Sequence, residues 1–102
     1  RMKHIMNKIN AAVKSKDEWK VFETNFNEVH EDFFKDILAE YPKLSSKDLK
    51  LCSYLKMNLS SKEIAPLMGI SVRGVEVHRY RLRKKMALES DVNLTKFLIK
   101  NF

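Results

Sequence analysis

The sequence is poor in residues that interrupt helices, since it has only two glycines and two prolines among 102 residues. β-Branched residues never alternate over a strand-length run, whereas Leu, Lys, Glu, Met and Ala, all strong helix formers, are common. A chain of this length usually supports a single hydrophobic core. The composition therefore excludes a β-rich protein and predicts one all-α domain, a helical bundle.

Cysteine is almost absent as well, and the single Cys52 excludes an internal disulfide bond. It lies in an apolar stretch, where a free thiol usually acts as a small core residue. No apolar run approaches the roughly 20 residues that span a bilayer, and the basic start, residues 1–8, has none of the features of a signal peptide. We expect a soluble protein in a reducing cytoplasm.

Groups that could carry catalysis are scattered. The three histidines His4, His30 and His78 have no cysteine or carboxylate at metal-ligand spacing, and no nucleophile, base and orienting group come together. The sequence therefore predicts no catalytic residue, no metal site and no cofactor, and we expect a protein that is not an enzyme.

Positive charge is unevenly distributed. Residues 1–45 carry eight basic and eight acidic residues, while residues 46–102 carry twelve basic and five acidic ones. Six of those twelve lie between Arg73 and Lys85. Clustered Lys and Arg favour a polyanionic partner, because they release counterions from a phosphate backbone. A solvated helix face is the alternative, and RNA is less favoured because few aromatics besides Tyr80 suit base stacking.

The N-terminal part, residues 1–15, is typical of a short linker or coiled-coil-like helix over residues 2–14. Its apolar residues follow the spacing of a coiled-coil seam: Met2, Ile5, Ile9 and Ala12. An arm packed on its own domain is the alternative interpretation.

Residues 16–43 predict a helical scaffold beginning near Asp17. The apolar residues at helical spacing are Trp19, Phe22, Phe26, Val29, Phe33 and Ile37, a pattern more typical of a core than of a ligand pocket. One helix is possible, but two helices broken near residues 27–30 are favoured. Tyr41-Pro42 should end the segment.

Two helix starts follow in series. Ser45 and Asp48 form a capping-box pattern for a helix running to about Lys56, and Ser60 and Glu63 repeat the pattern for a helix through Met68. Asn58 lies in the connection, where asparagine tolerates a left-handed turn.

Residues 61–85 then match the spacing of a helix-turn-helix. Counting Ser61 as the first position, Ala65 is fifth, Gly69 is ninth and Val75 is fifteenth. The small Ala65 lets the two helices cross closely, Gly69 permits the left-handed turn, and the apolar Val75 locks the helices together. Ser71 should cap a second helix from Val72 to about Met86. Its apolar side consists of Val75, His78 or Arg79, Leu82 and Met86.

These residues resemble the LuxR/GerE-type helix-turn-helix family, without a gap, over about Leu44 to Phe102. The matching blocks are Leu44-Ser45, Lys62-Glu63-Ile64-Ala65, Ile70-Ser71, Gly74-Val75-Glu76-Val77-His78 and Lys85-Met86. With the aromatic segment before it, the region is similar to the C-terminal output domain of large bacterial sensor regulators with propeller and triple-tyrosine modules.

The resemblance implies a transcriptional regulator whose DNA-binding region is residues 44–102. Its partner would be double-stranded DNA, with the recognition helix Val72 to Met86 in the major groove. We expect contacts to bases from Glu76, Val77, Tyr80 and Arg73, and contacts to phosphates from Arg79, Arg81, Arg83, Lys84, Ser71 and Lys62. His78 would pack on the scaffold helix or, alternatively, touch a phosphate. The residues that hold the motif together are Ala65, Gly69, Val75 and Leu82.

Three positions depart from the family pattern. Gly74 replaces the usual threonine, which weakens the helix but can admit DNA closely. Glu76 replaces the usual lysine, so base preference cannot be inherited. Pro66 lies inside the first helix of the motif, where we expect a slight kink or a solvated start.

The resemblance also implies signal transduction from an upstream sensor domain in the same chain, in agreement with a sequence that begins at Arg1. The full-length protein would be a homodimer, through a last helix from about Asp91 to Asn101, the Met2 to Ala12 seam, or both. The DNA-binding end would lie in the cytoplasm, even where the full-length protein is membrane-anchored. A different class remains open, namely a sigma-factor-like module that contacts the transcription machinery.

Overall fold

The computed structural model describes residues 11–102, with side chains from residue 18 onward, and the predicted Met2 to Ala12 seam lies outside the described side chains. The described residues form six helices and no strand, which confirms the all-α prediction. Among the described residues, no helix qualifies as a membrane-spanning segment. The chain divides into two compact units, one ending at Asp32 and one spanning Phe33–Phe102.

The first unit contains helix α1, Ala11–Val29. The prediction of one helix ending near residue 14 and another starting at Asp17 is wrong, because α1 runs through these residues without a break. No glycine or proline lies there to interrupt it. Aromatic rings stack along α1, with centroid distances of 5.4 Å for Trp19–Phe22 and 5.6 Å for Phe22–Phe26. Val29, expected in the core, is 75% exposed, because α1 ends there and the helical spacing does not continue.

The scaffold segment consists of two helices, as favoured from the sequence. The His30 N–H donates to the Phe26 carbonyl at 2.7 Å, and Asp32 adopts a left-handed φ of 69° before α2 begins. The interruption therefore lies at residues 30–32 rather than 27–30. Helix α2, Phe33–Glu40, buries Phe33 and Ile37 and ends before Tyr41-Pro42 as predicted.

The second unit continues with α3 (Ser46–Lys56), α4 (Ser61–Met68), α5 (Val72–Lys85) and α6 (Leu94–Asn101). Both capping boxes are confirmed. The Ser45 N–H donates to Asp48 Oδ2 at 2.9 Å and the Asp48 N–H to Ser45 Oγ at 3.2 Å. The Ser60 N–H donates to Glu63 Oε1 at 2.8 Å and the Glu63 N–H to Ser60 Oγ at 3.2 Å. Asn58 takes the expected left-handed turn between α3 and α4, with φ of 63°.

Helix α3 is the centre of the second unit. Residues 51–55 are all buried, and α3 packs against both α5 and α6, while α4 packs against α5. A polar group buried in such a helix needs a hydrogen-bond partner. The hydroxyl of Ser53 has one, because it donates to the Lys50 carbonyl at 2.7 Å.

The last helix begins later than predicted. Helix α6 starts at Leu94 rather than near Asp91, because the Asn93 side chain accepts the Lys96 N–H at 2.9 Å and so forms the N-cap. Leu94 and Leu98 are fully buried and give α6 its inner side.

Candidate nucleic-acid interface

Helices α4 and α5 form the helix-turn-helix that the spacing predicted. Gly69 ends α4 with a left-handed φ of 68°, and the Ile70 N–H returns to the Ala65 carbonyl at 3.1 Å. The space around a Cβ at Gly69 is open, so the need for glycine comes from the backbone angle itself. Ala65 is buried, as the close approach of two helices requires. Pro66 does not end α4, which continues to Met68.

The start and the inner side of α5 are firmly held. The Gly74 N–H donates to Ser71 Oγ at 2.9 Å, which confirms Ser71 as the N-cap. Val75 and Leu82 are fully buried on the inner side, as expected of locking residues, and Met86 caps the C-terminus. Because Val75 and Leu82 fix one side of α5 in the core, the residues on the opposite side of the helix face solvent.

The outer side of α5 carries the residues expected to contact bases. Arg73 and Glu76 are exposed, and the exposed fractions of Val77 and Tyr80 are 39% and 60%. The structure brings these four residues to the solvent side of one helix, away from Val75. The Nζ atom of Lys84 lies 5.2 Å from the centroid of the Tyr80 ring, a cation–π contact that orients the ring.

The residues expected to contact phosphates separate into two groups. Arg81, Lys84 and Lys62 are exposed, and Ser71 keeps a hydroxyl proton to donate although its oxygen caps α5. Arg79 donates to Ser61 Oγ at 3.3 Å, which ties α5 to α4. Arg83 donates to the carbonyl of Val92, just before α6. The side chains of Arg79 and Arg83 therefore already bind other groups of this unit.

A buried polar cluster joins α3 to α5 and was not expected from the sequence. Asp48 is only 3% exposed, and its two carboxylate oxygens contact two residues of α5. His78 Nε2 donates to Oδ1 at 2.9 Å, and Lys85 Nζ lies 2.6 Å from Oδ2. His78 therefore faces inward to α3, and not outward to a phosphate; its partner lies on α3 rather than in the scaffold segment of residues 16–43.

The cluster holds Asp48 in its ionised form. Burial by itself raises the pKa of Asp48, but the hydrogen bonds from Lys85, Ser45 and His78 outweigh it and lower the pKa to about 2. Burial, together with the charge of Asp48, raises the pKa of the Cys52 thiol to about 12. Cys52 is thus an unreactive core residue, as its apolar neighbours indicated.

One signal in the sequence could have revealed this cluster. The capping box uses only one of the two Asp48 oxygens, and Asp48 is the only acid between residues 41 and 62. An acid at the start of a buried helix needs cations nearby, and both His78 and Lys85 belong to the matched family pattern. Nowhere in the described residues, this cluster included, do three or more His, Cys, Asp or Glu side chains come together in a way that could hold a metal ion.

Comparison with known proteins agrees with this geometry. A profile of the family described as bacterial regulatory proteins, luxR family, matches residues 42–98. The transcriptional regulatory protein TdiR of Thauera aromatica is 38% identical over 65 residues, which are 64% of this chain and 27% of that protein. The tetrathionate response regulatory protein TtrR of Salmonella typhimurium is 40% identical over 52 residues, 51% of this chain and 25% of that protein.

The chain thus spans about a quarter of the length of these relatives. No solved structure matches it significantly. The family is one of transcription regulators and not of enzymes. Because the family profile covers more than half of the chain and coincides with the capped helices and the turn described above, this chain belongs to the luxR family of bacterial regulatory proteins and carries its helix-turn-helix domain.

Proposed function

We propose that the Phe33–Phe102 unit binds double-stranded DNA in a sequence-dependent manner, with α5 lying in the major groove. The observation that carries this proposal is the contrast between the two sides of α5. Val75 and Leu82 are fully buried, whereas Val77 and Tyr80 present apolar surface to solvent among basic residues. The major groove admits an α-helix and displays a distinct pattern of donors, acceptors and methyl groups for each base pair.

The proposed contacts to bases follow from side-chain chemistry. Glu76 accepts from cytosine N4, and Val77 meets a thymine methyl group. Tyr80 donates to an acceptor or packs on the groove wall, and Arg73 donates to guanine. Among the phosphate contacts, we place Arg81, Lys84, Lys62 and Ser71 first. Arg79 and Arg83 would reach a phosphate only by exchanging their present bonds to Ser61 and Val92.

We propose also that the full-length regulator is a homodimer that receives its signal from a sensor domain upstream in the same chain. Helix-turn-helix dimers read two half-sites about one helical turn apart. Helix α6 offers one surface for this, since Ile99 is 45% exposed while Leu94 and Leu98 are buried on the other side. The DNA-binding end then acts in the cytoplasm. A full-length protein that binds a single half-site as a monomer would contradict the dimer.

Selection from a random duplex library with the 102-residue chain tests DNA binding directly. We expect an enriched sequence motif and an affinity that falls steeply as salt rises, because phosphate contacts release counterions. Replacing Arg81 and Lys84 with alanine should weaken binding to all duplexes alike, as contacts to the backbone do. If the chain binds no duplex at low salt, the proposal fails. Binding to a component of the transcription machinery without DNA would then favour the sigma-factor-like alternative.

A further inference from the structure

A basic recess of about 610 Å³ lies beside the outer side of α5. Its walls come from the first two turns of α3, the end of α4 with the following turn, and α5 as far as Arg81. The residues that carry the argument are Lys47 and Lys50 of α3 with Ser71, Arg73, Gly74 and Arg81. Lys47 and Lys50 lie on α3, outside the helix-turn-helix that supplies all the contacts proposed above.

The charge of the recess is not cancelled by the neighbouring acid. Asp48 follows Lys47 directly, but its carboxylate is buried and bound to His78 and Lys85. No acidic residue lines the recess in the part of the chain that the structure describes. Lys47, Arg73 and Arg81 are all exposed. The recess is therefore a positively charged surface that runs from α5 onto α3.

Gly74 lines the recess and adds no side chain to it. A Cβ atom at this position would lie 3.3 Å from Ser71 Oγ, a tight contact, and 3.4 Å from Ile70 Cβ, an ordinary one, and both residues also line the recess. The threonine typical of the family would occupy this space. Glycine costs about 1 kcal/mol in a helix relative to alanine, and here it lines the recess without a side chain.

We infer that this recess holds the sugar-phosphate backbone of one strand of the bound duplex, with Lys47 and Lys50 as phosphate contacts supplied by α3. The inference rests on the proposed function. If α5 lies in the major groove, a strand that borders the groove passes along the side of α5, where the recess with Lys47 and Lys50 lies. Lysines three residues apart share one face of a helix, so they can follow successive phosphates. The interface thus extends beyond the helix-turn-helix to α3.

The test compares Lys47→Gln, Lys50→Gln and the double variant with the parent chain on the duplex selected above. The slope of log K against log salt should fall in magnitude by about 0.9 for each lysine and by about 1.8 for the double variant. The preferred sequence should not change, since contacts to the backbone carry no base information. The matched control is Lys35→Gln, which removes the same charge from an exposed position on α2 and should leave the slope unchanged.

Two further measurements keep the result unambiguous. Lys47→Arg and Lys50→Arg retain the charge and should keep the parent slope, and an unchanged Tm shows that each variant folds. Ethylation interference should mark phosphates for the parent that the double glutamine variant no longer marks. If the double variant keeps the parent slope while Lys84→Gln, at an exposed position outside the recess, lowers it, the recess does not hold the backbone and the proposed function stands. If the parent binds no duplex, the proposed function itself fails.

Discussion

Lys84 and Lys85 are neighbours in sequence but lie in opposite surroundings on α5. Lys85 Nζ is 2.6 Å from the buried Asp48 carboxylate, on the side that faces α3. Lys84 Nζ lies over the exposed Tyr80 ring, on the side that faces solvent. Successive residues of an α-helix point about 100° apart, so one step along the chain separates a structural cation from one available to a partner.

This difference shows why the number of basic residues on α5 overstates the positive charge that is available to DNA. Of the six basic residues between Arg73 and Lys85, three bind other groups of the unit: Arg79 to Ser61, Arg83 to Val92 and Lys85 to Asp48. Arg73, Arg81 and Lys84 have no ion pair among the described residues. Three basic residues of α5 thus hold the helix in the unit, whereas the three on its outer side are available to a ligand.

The inner side should show the largest effect on folding. Replacing Leu82, which is fully buried, with alanine removes apolar contacts and leaves a cavity, and we expect the free energy of unfolding to fall by about 3 kcal/mol. Val77→Ala on the outer side is the control and should cost less than about 1 kcal/mol. Chemical denaturation followed by circular dichroism measures both. Equal losses would mean that the two sides of α5 are not distinct.

Acid should weaken the unit through Asp48. Its pKa in the folded protein is about 2, below the ordinary value of 3.8, so its stabilisation is present above about pH 4 and is lost as pH falls towards 2. The shift corresponds to about 2 kcal/mol at neutral pH. The Asp48→Asn variant should therefore be less stable at pH 7 and approach the parent in stability near pH 2. A constant difference between parent and variant over this range would contradict the assigned role of the carboxylate.

Most of the fold could be predicted from local signals, since helix starts and turns depend on neighbouring residues. Ser45, Ser60, Ser71 and Gly69 lie where their capping and turn chemistry predicted. Errors arose where no local signal exists or where two local signals compete. The continuity of α1 depends on the absence of any interruption, and the Asn93 cap competed with an acidic stretch that also favours a helix start.

The candidate site was only partly predictable, because sequence spacing describes one helix at a time. Spacing placed Val77 and Tyr80 opposite Val75 on the same helix. It could not show that Asp48, thirty residues before His78, reaches across to α5, or that Lys47 and Lys50 lie beside Arg81. Such contacts between helices depend on the packing of α3 against α5.

The adjacent lysines provide a smaller and sharper test. We expect Lys85→Gln to lower the free energy of unfolding by about 1 kcal/mol, because Asp48 loses a cation partner that is itself partly exposed. Lys84→Gln should change stability by less than about 0.5 kcal/mol but reduce the magnitude of the salt slope for duplex binding by about 0.9. Denaturation and salt titration of both variants give the two readouts. If both lysines affected stability alike, Lys84 would have a structural partner as well.

Glu76→Lys should have the smallest effect on folding, within about 0.5 kcal/mol, because Glu76 is exposed and has no ion pair among the described residues. Its effect should instead lie in recognition. The change restores the residue typical of the family and removes an acid from the proposed interface, so affinity for any duplex should rise. It should also shift the preferred base at one position of each half-site, with discrimination changing by about 1 to 3 kcal/mol. Parallel selection from a random duplex library with parent and variant measures this shift. Identical selected motifs would show that Glu76 does not read bases, and α5 would then have to lie in the groove rotated from the orientation proposed above.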